Sequence, residues 1–185
     1  MDTNFQLTDG VIIIRPPCAD DLPSLIVAVQ ESLSEIQPWM DWAVADYGEA
    51  SAAKWLELSL SGWERSAGFQ FAIIDANTGE YLGNCSIDGI NTKYRFCNLG
   101  YWVRTSRTRQ GIASRAARLS ARFAFETVHL VRAEIVIASE NTASQRVAQK
   151  AGAHYEGILR NRMIVNSNVY DALMYSFTPA DFELS

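Results

Sequence analysis

WVRTSRTRQGIAS, residues Trp102–Ser114, has the pattern of a junction between a strand and a helix. An aromatic and β-branched run ends at Val103, three arginines follow, and an amphipathic helical pattern begins directly after Gly111. A helix start leaves several backbone N–H groups without intrahelical partners, at the positive end of the helix dipole. Because glycine has no Cβ, an anion can approach the backbone closely at Gly111. The segment therefore predicts a binding site for a phosphate or diphosphate group.

Two common phosphate-binding loops do not match this segment. The Walker loop requires Lys and Ser or Thr after its last glycine, and the dinucleotide loop requires three glycines where this segment has one. Thr108–Ala113, TRQGIA, instead resembles Q/R-x-x-G-x-G/A, the acetyl-CoA pyrophosphate loop of the GNAT superfamily of N-acetyltransferases. Thr108 departs from the usual glutamine or arginine, which affects one side-chain contact and none of the backbone donors.

Three further segments resemble the RimJ/RimL branch of that superfamily, whose members acetylate protein N-termini. Asn141–Ala153, NTASQRVAQKAGA, is similar to the second cofactor element of the branch. Ile14–Pro16 and Tyr155–Arg160 are similar to an early and a late motif. Together the segments span most of the chain in the expected order, which is difficult to obtain by chance.

The resemblance implies an α/β (α+β) architecture, the GNAT fold. We expect a single mixed, mostly antiparallel central sheet of about seven strands, splayed at its centre and flanked by about four helices. One N-acetyltransferase domain is expected over residues 1–185. Apolar residues at helical spacing predict a first helix that ends near Ile36. Gly100, inside an expected strand over 94–103, predicts a β-bulge that parts this strand from its next neighbour.

Acetyl-CoA is the co-substrate that the resemblance implies. Its pantetheine arm is expected to pair with the backbone of 101–103, and its diphosphate to bind at the loop that precedes the helix. Asn141 is expected to cap the following helix and also to face the arm. The expected cofactor-binding residues are Tyr101, Trp102, Val103, Arg109, Gln110, Gly111, Ile112, Ala113, Ser114 and Asn141.

The acceptor site and the proton transfers involve other residues. Trp39 and Trp42 follow the helix-breaking Pro38, and the resemblance places such a segment at the acceptor, although core packing is the alternative. The resemblance implies that Ser144 protonates the leaving thiolate, and a backbone N–H near Trp102 or Val103 is expected to stabilise the oxyanion. The general base stays open. The candidates for this role are Glu156, as a catalytic carboxylate, and Asp88, at the acceptor. A water that passes the proton to one of them, or to backbone carbonyls, is the alternative.

Composition argues against nucleic-acid, membrane and metal partners. The 185 residues are 48% hydrophobic, which is enough for a sizeable core, and the net charge of −5 argues against a general nucleic-acid partner. No apolar run approaches the length of a membrane span, and the N-terminus lacks a signal-peptide pattern, so we expect a cytoplasmic protein without a membrane partner. The three cysteines lack C-x-x-C spacing and only two histidines occur, so no metal site is expected.

Three functions remain open from the sequence. The first is acetylation of a protein N-terminal amine, as a monomer or homodimer. The second is acetylation of a small amine such as a polyamine, an amino acid or an aminoglycoside. The third is a non-catalytic acyl-CoA-binding module, which the missing obvious base keeps under consideration.

Overall fold

A computed structural model describes residues 5–183, and within them eight strands form one sheet that four α-helices cover. The strands are β1 Leu7–Thr8, β2 Ile12–Arg15, β3 Phe69–Asp75, β4 Tyr81–Asn91, β5 Phe96–Val103, β6 Arg132–Ala138, β7 His154–Val165 and β8 Asn168–Phe177. The helices are α1 Leu22–Ile36, α2 Glu49–Arg65, α3 Ile112–Glu126 and α4 Thr142–Ala151. The strand order is β1-β2-β3-β4-β5-β6-β8-β7, and only β5 and β6 run parallel among these strands. The expected mixed, mostly antiparallel sheet is confirmed, with eight strands because the short β1 pairs with β2.

Helix α1 forms where the apolar spacing predicts it. Leu25, Val29 and Ile36 are buried on one face, and Pro23 lies in the first turn, where a missing N–H costs no hydrogen bond. The Arg15 guanidinium binds both carboxylate oxygens of Asp21, at 2.8 and 2.6 Å. This bidentate pair joins the end of β2 to the start of α1.

Two apolar clusters lie on opposite faces of the sheet. One cluster lies beneath α3 and α4, and its aromatic centre is Trp63, Phe69, Phe71 and Phe123, with ring centroids 4.8–5.5 Å apart. The other lies beneath α1 and the first turns of α2, and it includes Trp102 from β5. Strand β5 therefore contributes to both clusters through alternate residues.

The bulge expected at Gly100 is not present in the described β4–β5 ladder. The register continues without a shift from Gly83 paired with Val103 to Asp88 paired with Asn98, so that prediction was wrong. A Cβ on Gly100 would lie 3.0 Å from the Ser86 Oγ on β4. A side chain here would require Ser86 to shift, so the close approach of this neighbour favours glycine.

None of the α-helices within residues 5–183 has the combination of length and apolar composition that a bilayer span requires.

Candidate active site

A V-shaped gap opens in the sheet between β5 and β6. The two strands pair only over 96–98 and 132–134, and beyond those residues they diverge. A cavity of about 740 Å³ occupies the gap, with Leu99–Val103 on one side and Ile135–Ala138 on the other. The expected splay at the sheet centre is thus confirmed, although it arises without a bulge.

The hydrogen-bond alternation of β5 indicates which backbone groups face the gap. The Arg104 N–H donates to the Leu82 carbonyl of β4 at 2.9 Å. Because antiparallel pairs alternate, Trp102 also directs its N–H to β4, whereas Tyr101 and Val103 direct theirs away from it. The gap-facing edge is therefore available to an extended polar ligand, as an added strand would use it.

The loop that begins α3 presents backbone donors at the mouth of this cavity. Gly111 has φ +80°, a conformation that favours glycine, and the first helical bond runs from the Arg115 N–H to the Gly111 carbonyl. The N–H groups of 112–114 precede that bond and have no intrahelical acceptor. The Ile112 side chain is buried, and the Ser114 hydroxyl donates to the Val147 carbonyl at 3.1 Å. These two residues therefore offer their backbone, and not their side chains, to a ligand.

The arginines of the loop have different partners. Arg104 binds Glu31 at 2.5 Å and lies 3.3 Å from Glu80, and Arg107 also binds Glu80. Hydrogen bonds from Arg104 lower the pKa of Glu31 to about 2. Arg104 and Arg107 thus hold the loop against α1 and the β3–β4 turn, and only Arg109 of the three has no ion pair within residues 5–183.

Two cations that sequence reasoning missed line the larger cavity from helix α4. Arg146 and Lys150 of α4 line the cavity, and neither joins an ion pair in the described part of the chain. The Lys150 Nζ lies 3.3 Å from the position that a Cβ on Gly111 would occupy. Their i, i+4 spacing places them on one face of the helix, and this was a signal that could have identified them.

Ser144 is held by residues from two other elements. Asn141 caps α4, because its Oδ1 accepts the Ser144 N–H at 3.0 Å. The Tyr101 hydroxyl donates to the Ser144 carbonyl at 3.1 Å and lies 3.0 Å from the Ser144 Oγ. Burial raises the pKa of Tyr101 to about 12, so the phenol keeps its proton. Because the Tyr101 hydroxyl donates its proton to the Ser144 carbonyl, the Ser144 hydroxyl can itself donate, either to the Tyr101 oxygen or to a ligand in the gap.

A second, smaller cavity of about 370 Å³ lies on the α1 and α2 side of the sheet. Trp42 and Asp88 line it, whereas Trp39 lines the larger cavity, with its ring centroid 6.3 Å from that of Tyr170 and the two rings tilted by 60°. The two cavities share a wall formed by Met40 and by 100–102 of β5.

Two of the expected site residues lie outside both cavities. Gln110 is exposed and lines neither cavity. Glu156 accepts from the two terminal nitrogens of Arg132, Nη1 and Nη2, at 2.6 Å and from the Ser176 hydroxyl at 2.6 Å, near the closed end of the gap. The hydrogen bonds from Arg132, and to a smaller extent the one from Ser176, lower the pKa of Glu156 to about 2, which makes this carboxylate a weak base.

The buried cysteines are unsuited to covalent catalysis. Burial raises the pKa of Cys85 and of Cys97 to about 12, so both remain thiols at neutral pH. In the part of the chain that the structure describes, no three histidine, cysteine, aspartate or glutamate side chains cluster as metal ligands would.

Comparison with known proteins identifies the family of the chain. The family model for the acetyltransferase (GNAT) domain matches residues 12–154. A Bacillus subtilis protein named "Putative ribosomal N-acetyltransferase YdaF" is 26% identical over 177 residues, which cover 92% of this chain and 91% of the relative.

Two solved structures share the fold over nearly the whole chain. One is a "putative ribosomal-protein-serine acetyltransferase from Vibrio cholerae", with TM-score 0.84, 26% identity, and coverage of 97% of this chain and 100% of the other. The second is Mycobacterium smegmatis RimJ in complex with a CoA-disulfide, with TM-score 0.84, 26% identity, and coverage of 95% and 86%. The chain therefore belongs to the GNAT family and is an N-acetyltransferase related to the RimJ/RimL-type ribosomal-protein acetyltransferases.

Proposed function

We propose that this enzyme transfers the acetyl group of acetyl-CoA to the α-amine of a protein N-terminus, by direct attack in a ternary complex. The observation that carries the proposal is the shared wall at 100–102 of β5. A ligand that enters the larger cavity from the loop and an amine that enters the smaller cavity from the α1 and α2 side would meet there. Such a meeting point supplies the proximity that a two-substrate transfer requires.

The residues of the larger cavity suit acetyl-CoA. The open N–H groups of 112–114 and the cations Arg109, Arg146 and Lys150 would bind the phosphates. The gap-facing backbone groups of Tyr101 and Val103 would pair with the amide groups of the pantetheine arm. Asn141 lines the same cavity next to Ser144, consistent with a role both as cap and as a contact for the arm.

Charge then develops on the thioester oxygen and on sulfur as the amine attacks. The N–H of Tyr101 or Val103 is the proposed oxyanion donor, since the Trp102 N–H is directed to β4. The Ser144 hydroxyl protonates the departing thiolate, and Tyr101 positions that hydroxyl through its two contacts. Glu156 has no part in this scheme, because it is bound to Arg132 outside the cavities. The amine proton leaves through water to Asp88 or to a backbone carbonyl.

The test of the function is CoA release from acetyl-CoA over a panel of N-terminal peptides and small amines, with the acetylated atom located by mass spectrometry. Acetylation of peptide α-amines supports the proposal. Turnover of small amines alone would replace it with small-molecule acetylation, and the aromatic lining of the smaller cavity would then be the specificity site.

Replacement of Ser144 by alanine tests the acid role. We expect kcat to fall by about tenfold to a hundredfold with little change in KM, because general acid catalysis acts in the transition state. Tyr101→Phe should give a smaller fall, since Ser144 keeps its own proton. Ser24→Ala, at an exposed position of α1, is the matched control. A wild-type kcat for Ser144→Ala across the pH range would remove the serine from the mechanism.

A further inference from the structure

The floor of the smaller cavity is a row of small and polar residues across three strands. Gln70 of β3 pairs with Ser86 of β4, which pairs with Gly100 of β5. Asp88 lies two residues further along β4, opposite Asn98. Because side chains two residues apart share a face, Asp88 belongs to the same floor as Ser86.

The walls of this cavity are aromatic. Trp42, Tyr47, Trp55 and Trp102 line it, and the Trp42 ring centroid lies 5.9 Å from those of both Tyr47 and Trp102. Trp42 is 44% exposed, so its ring is accessible to a ligand. The residues that line the cavity include one charged side chain, Asp88, and no cation. Aromatic faces beside a carboxylate form an environment that favours a positively charged group.

Asp88 differs in its partners from Asp21, Glu80 and Glu156. Asp21 binds Arg15, Glu80 binds Arg104 and Arg107, and Glu156 binds Arg132. Asp88 has no arginine, lysine or histidine partner among the ion pairs of residues 5–183.

Two neutral donors bind Asp88 instead. The Ser86 hydroxyl donates to Oδ2 and the Asn98 amide donates to Oδ1, both at 3.1 Å. A carboxylate accepts about four hydrogen bonds, so these donors position Asp88 and leave acceptor capacity toward the cavity.

We propose that the acceptor carries a second cationic group, which binds Asp88 and the tryptophan faces while the reacting amine lies at the shared wall. The proposal rests on the acetyl transfer of the proposed function and names the class of acceptor. Asp88 is two residues along the strand from the Ser86–Gly100 row, which corresponds to about 7 Å. An ammonium or guanidinium about five bonds from the reacting amine would span that distance. Such a group occurs in a small diamine and in the basic side chain of a first peptide residue.

Matched acceptor pairs test the inference and distinguish these two sources. One pair is 1,4-diaminobutane and butylamine, and the other is a peptide with arginine or its neutral isostere citrulline as the first residue. In at least one pair, the cationic member should have a KM lower by about tenfold, or about 1.4 kcal/mol. The advantage should shrink as salt is added. A preference confined to the amines identifies a diamine acceptor, and one confined to the peptides identifies a basic N-terminal residue.

Asp88→Asn should abolish the preference by raising the KM of the cationic member, and its Kd for acetyl-CoA should confirm the fold. Asp20→Asn, at an exposed aspartate, is the matched control and should keep the preference. Equal KM values within both pairs would overturn the inference and leave the proposed function standing. An equal fall of kcat for both members in Asp88→Asn, with the KM preference retained, would also overturn it, because that result identifies a proton acceptor and no cation site. If no member of either pair releases CoA, the inference is overturned, and the panel of N-terminal peptides decides the proposed function separately.

Discussion

Lys150 of α4 provides the most direct test of the phosphate site. Its Nζ lies 3.3 Å from the position that a Cβ would occupy on Gly111. A phosphate oxygen on that open side of the loop would therefore lie about 4 Å from the ammonium, where the Coulomb energy is about 1 kcal/mol in bulk water and about 4 kcal/mol at an effective dielectric constant of about 20. Because Lys150 is exposed, the lower part of this range applies. We expect Lys150→Met to weaken acetyl-CoA binding by about 1–2 kcal/mol, or about five- to thirtyfold in Kd.

Titration calorimetry at two ionic strengths measures this effect. Methionine keeps the apolar part of the side chain and removes the charge, so the salt dependence of Kd should become shallower in the variant. Lys93→Met is the matched control, because Lys93 is an exposed lysine in the β4–β5 turn and lies outside both cavities. A Kd within twofold of the wild type, or an equal weakening at low and high salt, would refute the placement of the phosphates at Gly111.

Two further predictions concern stability. Since Arg132 and Ser176 lower the pKa of Glu156 from 4.5 to about 2, its contribution is fully present above pH 4.5 and is lost as the pH falls toward 2. Between pH 6 and 3, the free energy of unfolding should therefore fall less in Glu156→Gln than in the wild type, and the difference should be up to about 1 kcal/mol. Urea titrations at the two pH values measure it, and an equal fall in both proteins would contradict the ion pair. Phe123→Ala should lower the free energy of unfolding by about 3–5 kcal/mol, because Phe123 is fully buried against Trp63, Phe69 and Phe71. A loss below about 1 kcal/mol would show that these rings do not form one packed cluster.

The sequence predicts most of the fold where the signal is local. Apolar spacing identifies α1, and Gly111 marks the start of α3 because its positive φ favours glycine. Asn141 and Gly152 bound α4 as cap residues, as their types predict. The predicted bulge at Gly100 was wrong because a glycine in a strand can mark either a bulge or a close approach by a neighbour. The neighbour here, Ser86, belongs to another strand, so the sequence around Gly100 does not indicate it.

Only the tertiary structure assigned the charged side chains to their roles. Arg104 binds Glu31, which is 73 residues away in the sequence, and Arg107 binds Glu80, so two of the three loop arginines hold the loop in place. Glu156 is a carboxylate in a predicted strand, and its ion pair with the distant Arg132 is visible only in the fold.

The candidate site residues are likewise joined only by the fold. Tyr101 contacts Ser144 across 43 residues of sequence, and Lys150 approaches Gly111 from a different helix. By itself, the sequence determined the family, the backbone conformation of the loop and the helix caps, because these depend on neighbouring residues and on recurring motifs. Which charges remain available to a ligand depends on ion pairs between residues far apart in the sequence. A sequence pattern does not specify the distances between such residues, so only the tertiary structure decides it.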